Sequence, residues 1–299
     1  MSAQLLELLA CPACAEELVD DDDGELRCAR CGSRYPVVDG VPHILPPLEG
    51  SRWREWEMKQ ELGLAEYEAE AEPSEHALGL ARAFAEFADP VGLVLDIGCG
   101  VAAQPPYHRR DGRARYVGVD PLVATTARDF EYVVGVGEHL PFRSARFDVA
   151  LSATALDHVV DPAASLREIR RVVRPDARVA LWVGVVDPAV YQPAAYALPT
   201  AAGTRRRLAA RDLRGIGTAA LRHLVVNPAR RARTELRVRL RERETIDALY
   251  PARASYHFRF FKESDVLRLL EKSRLHVVDT RSLGDADHGH SLFALAQPR

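Results

Sequence analysis

The sequence predicts an α/β protein with a doubly wound sheet and a small separate module in front of it, and three observations carry this prediction. The apolar run Leu93–Leu95 ends in the carboxylate of Asp96 and leads into Gly98-Cys99-Gly100, which is typical of a buried strand that turns sharply beneath a ligand. From there to residue 186, strand and helix patterns alternate, which predicts parallel strands joined by right-handed crossovers. Two Cys-x-x-Cys pairs near the N-terminus mark the separate module.

The composition of the 299-residue chain is that of a soluble globular protein, with 47% hydrophobic and 28% charged residues. Its net charge of -3 does not give the molecule an overall field that attracts nucleic acid. No apolar run approaches the length of about 18 residues that a membrane helix needs. Residues 1–10 also lack the basic flank and cleavage site of a signal peptide. We therefore expect a cytoplasmic protein without membrane segments.

The first module is predicted from four cysteines, Cys11, Cys14, Cys28 and Cys31. Two Cys-x-x-Cys turns can bring four thiolates to one tetrahedral zinc ion, and so short a module cannot fold on apolar burial alone. Two disulfides are the alternative, which a cytoplasmic location disfavours. We expect a structural zinc in a ribbon of residues 1–48, ending at the linker Pro46-Pro47.

Residues 51–88 are predicted to be helical, and a second helix is predicted to begin at Pro73-Ser74. Two tryptophans, Trp53 and Trp56, lie near the beginning of this stretch. They either pack into the core or line the mouth of a cofactor site.

A second apolar strand, 116–120, follows the glycine turn and ends in the carboxylate of Asp120. A carboxylate about 20 residues after such a turn suits the two hydroxyls of a ribose. A pyrophosphate site is poorly supported, because Val101 and its neighbours replace the third glycine of the dinucleotide fingerprint. The alternative is that the glycines serve a tight turn only and Asp120 caps the next helix.

The remaining elements follow in the order of a parallel sheet. The predicted elements are strand 132–137, strand 147–153, helix 162–174, strand 177–186, helix 263–273, strand 275–280 and strand 291–296. Residues 187–261 interrupt this order and are expected to form a helical lid over the substrate. The arginine-rich stretch 205–243 within the lid is either a solvated helix face or a surface for an anionic small substrate or RNA.

Four segments together resemble successive motifs of the class I S-adenosylmethionine-dependent methyltransferases, of the type 11 kind: Leu93–Gly100, Tyr116–Pro121, Gly135–Phe142 and Phe147–Ser152. The cysteine module resembles the zinc-ribbon family whose members activate tRNA and protein methyltransferases. The resemblance implies S-adenosylmethionine as cofactor and a seven-stranded Rossmann-like sheet whose last strand is antiparallel.

Carried over residue by residue, the resemblance implies these cofactor-binding residues: Asp96, Gly98, Gly100, Asp120, Gly137, Glu138 and Ser152. The glycines would pass under the methionine part of the cofactor, Asp96 would organise the turn near its amine, and Gly137 and Glu138 would lie beside the adenine. Val136 stands where many family members have an acid or amide, so adenine recognition would rest on backbone groups and apolar packing.

The acceptor side is predicted from the segment after the fourth strand, which contains Asp157 and His158. An imidazole beside a carboxylate can take a proton from a hydroxyl during methyl transfer. The alternative is that Asp157 or Asp161 caps the following helix while His158 packs against it. His257 is a weaker catalytic candidate.

The main functional hypothesis is methyl transfer to an oxygen or nitrogen of a small polar metabolite, either sugar-containing or a secondary-metabolite intermediate. RNA is the second acceptor class, since zinc ribbons precede the catalytic domain in some ribosomal RNA methyltransferases. The third hypothesis is a module that docks a protein partner through the ribbon. The sequence does not indicate the oligomeric state.

Overall fold

The computed structural model describes residues 1–21, 24–69, 74–123, 127–185, 261–285 and 289–299. In this part of the chain the helices are α1 (Ala3–Leu6), α2 (Ser51–Ala69), α3 (Glu75–Ala88), α4 (Pro162–Val172) and α5 (Glu263–Lys272). The first strands are β1 (Leu18–Asp20), β2 (Glu25–Cys28), β3 (Arg34–Val38) and β4 (Val41–Pro42). The others are β5 (Gly92–Ile97), β6 (Ala114–Asp120), β7 (Glu131–Val134), β8 (Phe147–Ala153), β9 (Val173–Val185), β10 (Leu275–Asp285) and β11 (Gly289–Pro298).

Seven strands form one mixed sheet in the order β10-β11-β9-β8-β5-β6-β7. The strands from β9 to β7 are parallel to one another, and β11 pairs antiparallel with both β9 and β10. This confirms the predicted seven-stranded sheet with an antiparallel last strand. Because the chain leaves β5 first towards β6 and later returns to β8, the direction of winding reverses between β5 and β8.

Side chains alternate between two apolar clusters on the two faces of the sheet, as the pleat of a strand requires. In β9, Val179, Leu181 and Val183 pack with the cluster that contains residues of α4 and α5. Their neighbours Ala180 and Trp182 pack with the cluster that contains residues of α3. Helices on both faces make the sheet doubly wound.

Helix α4 begins at the residue that its sequence predicts, Pro162, but ends two residues before the predicted end. The Asp161 side chain accepts hydrogen bonds from the amides of Ala163 and Ala164, and Pro162 occupies the first turn, where no amide donor is missed. The helix ends at Val172 instead of residue 174, and the next strand starts at once. Pro175 explains the difference, because the residue before a proline avoids helical backbone angles.

The ribbon comprises the chain from α1 to Ile44, and its strands form a separate antiparallel sheet in the order β1-β2-β3-β4. It docks against the edge of the large sheet at β7. Three backbone hydrogen bonds join the two parts: Ile44 N–H to Val134 O (2.8 Å), Ala10 N–H to Pro141 O (2.9 Å) and Arg143 N–H to Leu8 O (2.8 Å). Leu5, Leu9 and Leu18 of the ribbon belong to the same apolar cluster as Phe142. The domain boundary near residue 48 stays a prediction.

The predicted lid of residues 187–261, with His257 and the arginine-rich stretch 205–243, lies outside the described residues except for Phe261. No helix within the described ranges is both long and apolar enough to cross a membrane.

Candidate functional site

The four cysteines of the ribbon converge on one point. Their Sγ atoms all lie within 4.8 Å of one another, with 3.6 Å between Cys11 and Cys31 and 3.5 Å between Cys14 and Cys28. Thiolates that share one zinc ion stand about 3.8 Å apart, given Zn–S bonds of about 2.3 Å, whereas disulfide sulfurs are about 2 Å apart. The cluster fits the predicted zinc, and four protein ligands leave no open position for catalysis, as in a structural site.

Each cysteine pair is shaped by the same kind of backbone turn. The amide of Ala15 donates to the carbonyl of Cys11 at 2.8 Å, and that of Gly32 donates to Cys28 at 3.0 Å. Gly32 has a φ of +74°, which glycine adopts without strain. The hydroxyl of Tyr35 lies 3.2 Å from the Cys11 sulfur, where it can support a thiolate ligand.

A cleft opens at the carboxyl ends of β5, β6 and β8. Ligands of open α/β sheets bind at this kind of place, where the strand order reverses. Several segments line the cleft: Trp56, Lys59, Gln60, Ile97, Gly98, Gly100, Val119–Leu122, Gly135–Glu138, Ala153–Ala155, His158 and Val159. Five of the seven predicted cofactor residues are among them, while Asp96 and Ser152 are buried behind the cleft wall.

The glycine turn forms the floor of the cleft. Gly98 has a φ of +75°, and a Cβ atom there would lie only 2.2 Å from the Cβ of Ala155. The amide of Gly98 donates to the carbonyl of Val119 at 2.8 Å, which ties the turn to the next strand. Gly100 has a φ of +67° and open space in front of it. Any side chain at Gly98 would therefore displace Ala155, whereas Gly100 leaves room for a ligand.

Asp120 ends β6 beside this turn and is only 5% exposed. Its Oδ2 accepts the amide of Gly100 at 2.8 Å, and its Oδ1 accepts the amide of Leu122 at 2.8 Å. Burial raises the pKa of Asp120 to about 6, although the two amides and the nearby Arg128 guanidinium lower it. Each carboxylate oxygen keeps a second lone pair, so ribose hydroxyls can still donate to it.

The opposite wall is built by Val136, Gly137 and Glu138. Oε1 of Glu138 accepts the amide of Val160 at 2.6 Å and that of Asp161 at 3.1 Å. Burial raises the pKa of Glu138, against the lowering effect of these amide bonds. Glu138 therefore lines the cleft and also fixes the residues that lead into α4.

Helix α2 covers this wall. Trp56 packs with Val136 and Val160, and Trp53 packs against the same cluster in a T-shaped contact with Trp56, their ring centroids 5.4 Å apart. Both alternatives for the tryptophans hold for Trp56, which is buried and also lines the cleft. Sequence reasoning missed Lys59 on the next turn of α2, whose pKa is lowered by burial. Its spacing of three residues from Trp56 is the signal that places both on one helix face.

On the acceptor side, His158 lines the cleft but Asp157 does not hold it in a hydrogen bond. The distance from His158 Nε2 to Asp157 Oδ1 is 3.8 Å, beyond hydrogen-bond range. The predicted helix cap exists and belongs to Asp161. The catalytic role of His158 and Asp157 stays a prediction, as does that of His257.

Comparison with known proteins gives two family matches. The family described as "Methyltransferase domain" matches residues 95–181, and the family described as "Trm112p-like protein" matches residues 2–40. These segments contain most of the cleft residues and all four cysteines of the ribbon.

Two relatives illustrate the matches. Demethylmenaquinone methyltransferase of Mycolicibacterium vanbaalenii is 37% identical over 92 residues, which is 30% of this chain but only 40% of that protein. A UPF0434 protein of Coxiella burnetii is 47% identical over 47 residues, 15% of this chain and 84% of that protein.

A solved structure has a similar fold. It is Burkholderia thailandensis 1,6-didemethyltoxoflavin-N1-methyltransferase with bound 1,6-didemethyltoxoflavin and S-adenosylhomocysteine, with a TM-score of 0.51 and 17% identity. The similarity covers 90% of this chain and 97% of that chain. The chain therefore belongs to the Trm112p-like family through its first 40 residues, and behind them it carries a methyltransferase domain.

Proposed function

We propose that the chain is an S-adenosylmethionine-dependent methyltransferase that acts on an oxygen or nitrogen of a small polar metabolite. The observation that carries the proposal is the cleft, in which the glycine turn and the buried Asp120 are joined by a hydrogen bond of 2.8 Å. This arrangement suits a nucleoside whose ribose is bound by a carboxylate and whose other end lies on bare backbone.

The cofactor roles follow from this geometry. Asp120 would accept the ribose hydroxyls, and Gly98 and Gly100 would leave room for the methionine part. The adenine would lie against the apolar wall that Val136 and Trp56 form together. When bound, S-adenosylmethionine supplies an electrophilic methyl group, and the protein has to align the acceptor with it and exclude water.

His158 is the proposed base on the acceptor side. It lines the same cleft as the glycine turn, and an imidazole can accept a proton near neutral pH. The separation of 3.8 Å from Asp157 would have to shorten when the acceptor binds for the two residues to act as a pair.

The acceptor class is proposed from the relatives. The relatives named above are a demethylmenaquinone methyltransferase and a 1,6-didemethyltoxoflavin-N1-methyltransferase, and both names refer to small molecules. The RNA alternative depends on the arginine-rich stretch 205–243, which lies outside the described residues.

We also infer that the partner of the ribbon is the methyltransferase domain of its own chain. The three backbone hydrogen bonds and the shared apolar cluster support this internal docking over the hypothesis of a separate protein partner.

The experiment is to incubate purified protein with methyl-labelled S-adenosylmethionine and an extract of its source cells, and then to separate low-mass material from polymer. Label in low-mass material is expected. The Asp120→Ala variant, run in parallel, should remove it. If nuclease releases label from the polymer, the acceptor is a nucleic acid and the proposed acceptor class is wrong. If no label is incorporated and the protein also does not bind the cofactor, the proposed activity is wrong.

A further inference from the structure

A buried polar cluster lies behind the glycine turn. Asp96 is the last residue but one of β5, and its carboxylate is 0% exposed. Oδ2 of Asp96 lies 2.7 Å from Nε2 of His108 and 3.1 Å from the hydroxyl of Tyr107. Within the described part of the chain, none of these three side chains lines the cleft. These side chains therefore do not contact a ligand in the cleft. They influence it only through the Gly98–Gly100 turn, which follows Asp96.

The ring of His108 is held by aromatic side chains. It stacks on Tyr116 of β6, with ring centroids 3.8 Å apart and an angle of 8° between the planes. Tyr107 and Phe130 contact it edge-on, at 5.3 Å and 4.9 Å. The ring has little freedom to rotate, so Nε2 is kept pointed at the carboxylate.

The hydrogen-bond pattern also indicates the tautomer. Nδ1 of His108 is buried and has no hydrogen-bond partner among the described residues. A proton on Nδ1 would be a buried donor without an acceptor, which costs more than an unused lone pair. The pattern therefore favours donation from Nε2 to Asp96.

A buried carboxylate without donors is strongly disfavoured, so Asp96 depends on these two residues for its place in the fold. Asp96 stands two residues before Gly98, and its strand pairs with β6 and β8. A shift of Asp96 would move the end of β5 and, with it, the backbone of the turn.

We propose that His108 and Tyr107 are positioning residues for the methionine part of the cofactor. They hold the Asp96 carboxylate and thereby the Gly98–Gly100 turn on which that part of the cofactor lies. The inference rests on the proposed function, because it assumes that the cleft binds S-adenosylmethionine.

The test compares two ligands by calorimetry. S-adenosylhomocysteine carries the amino-acid part that the turn would receive, whereas 5′-methylthioadenosine carries the ribose and adenine without it. His108→Phe keeps a ring on Tyr116 and removes the donor to Asp96. We expect it to weaken S-adenosylhomocysteine binding by about tenfold or more and 5′-methylthioadenosine binding much less. Tyr107→Phe should act in the same direction.

Three controls make the result specific. His108→Gln, whose amide can still donate to the carboxylate, should restore part of the affinity for S-adenosylhomocysteine. His276→Phe makes the same chemical change at an exposed position and should have no effect. The melting temperature of each variant reports on folding.

The outcomes are separable. Wild-type protein that binds neither ligand would contradict the proposed function itself. Wild-type protein that binds both, together with a His108→Phe variant of unchanged affinity, would overturn only the positioning role. Equal loss of both ligands would also overturn it, because the ring would then serve folding in general.

Discussion

The backbone amide of Gly100 donates a hydrogen bond of 2.8 Å to Oδ2 of Asp120, so the glycine turn and the acid of the next strand form one unit. Oδ1 of the same carboxylate accepts the amide of Leu122 at 2.8 Å. The group proposed to hold the ribose is therefore fixed in place before any ligand arrives, which reduces the ordering cost of binding.

Removal of this carboxylate should weaken cofactor binding. Asp120→Ala removes the ribose partner and leaves two amides without their acceptor, so we expect affinity for S-adenosylhomocysteine to fall at least tenfold, about 1.4 kcal/mol or more, by calorimetry. Asp129→Ala is a matched control at an exposed position nearby and should have no effect. An unchanged dissociation constant for Asp120→Ala would refute the ribose assignment.

Cofactor affinity should also depend on pH through Asp120. Burial raises its pKa to about 6, and the facing charges are Arg128, which lowers the pKa, and Asp96, which raises it. Below that pH the free protein holds a neutral carboxyl, a poorer acceptor for hydroxyl groups, so affinity should decrease as pH falls from 7 to 5. Asp120→Asn should flatten this profile. A wild-type profile that is flat over the same range would contradict the prediction.

Gly98 should tolerate no side chain, because a Cβ atom would lie 2.2 Å from Ala155. We expect Gly98→Ala to abolish measurable S-adenosylhomocysteine binding. Gly112→Ala is a close control, since Gly112 has the same φ of +75° but no atom within 4 Å of the added Cβ. It should cost only about 1 kcal/mol of stability and no affinity. The double variant Gly98→Ala with Ala155→Gly should recover part of the binding, and failure to do so would locate the defect in the backbone instead of the clash.

The ribbon should contain one zinc ion per chain. Elemental analysis of purified protein is the direct measurement, and Cys11→Ser with Cys14→Ser should remove the metal and unfold the ribbon, because the module depends on it for stability. A metal-free preparation with an intact ribbon would refute the structural role.

Loss of zinc should also weaken cofactor binding. The ribbon's hydrogen bonds to Val134 and Pro141 flank the cleft wall formed by residues 135–138, so an unfolded ribbon frees both ends of that wall. We expect a chelator to reduce S-adenosylhomocysteine affinity by about tenfold and added zinc to restore it. Unchanged affinity after chelation would show that the two sites are independent.

The sequence alone predicts the features that depend on local pattern. An apolar run before Gly98-Cys99-Gly100, and an acid at the end of the next strand, locate one wall of the cleft because strand and turn chemistry are local. The cysteine spacing predicts the metal site for the same reason, since each pair occupies a single turn.

The remaining features depend on contacts between distant segments. Glu138 accepts the amides of Val160 and Asp161, and nothing in its neighbourhood along the chain indicates those partners. Likewise, the importance of His108 becomes visible only when the sheet brings Tyr116 beneath its ring. Sequence periodicity predicts which residues are buried but not which buried residues meet.

The shared apolar cluster of ribbon and sheet has a consequence for synthesis on the ribosome. The ribbon is complete at Ile44, yet β7 and Phe142, which cover its apolar side, are translated about 90 to 100 residues later. At about 5–20 residues per second, this interval is on the order of ten seconds. During that time the nascent ribbon can bind zinc, but Leu5, Leu9 and Leu18 lack the covering side chain of Phe142. Zinc that binds during translation would therefore fold the ribbon before the sheet that covers it has been made.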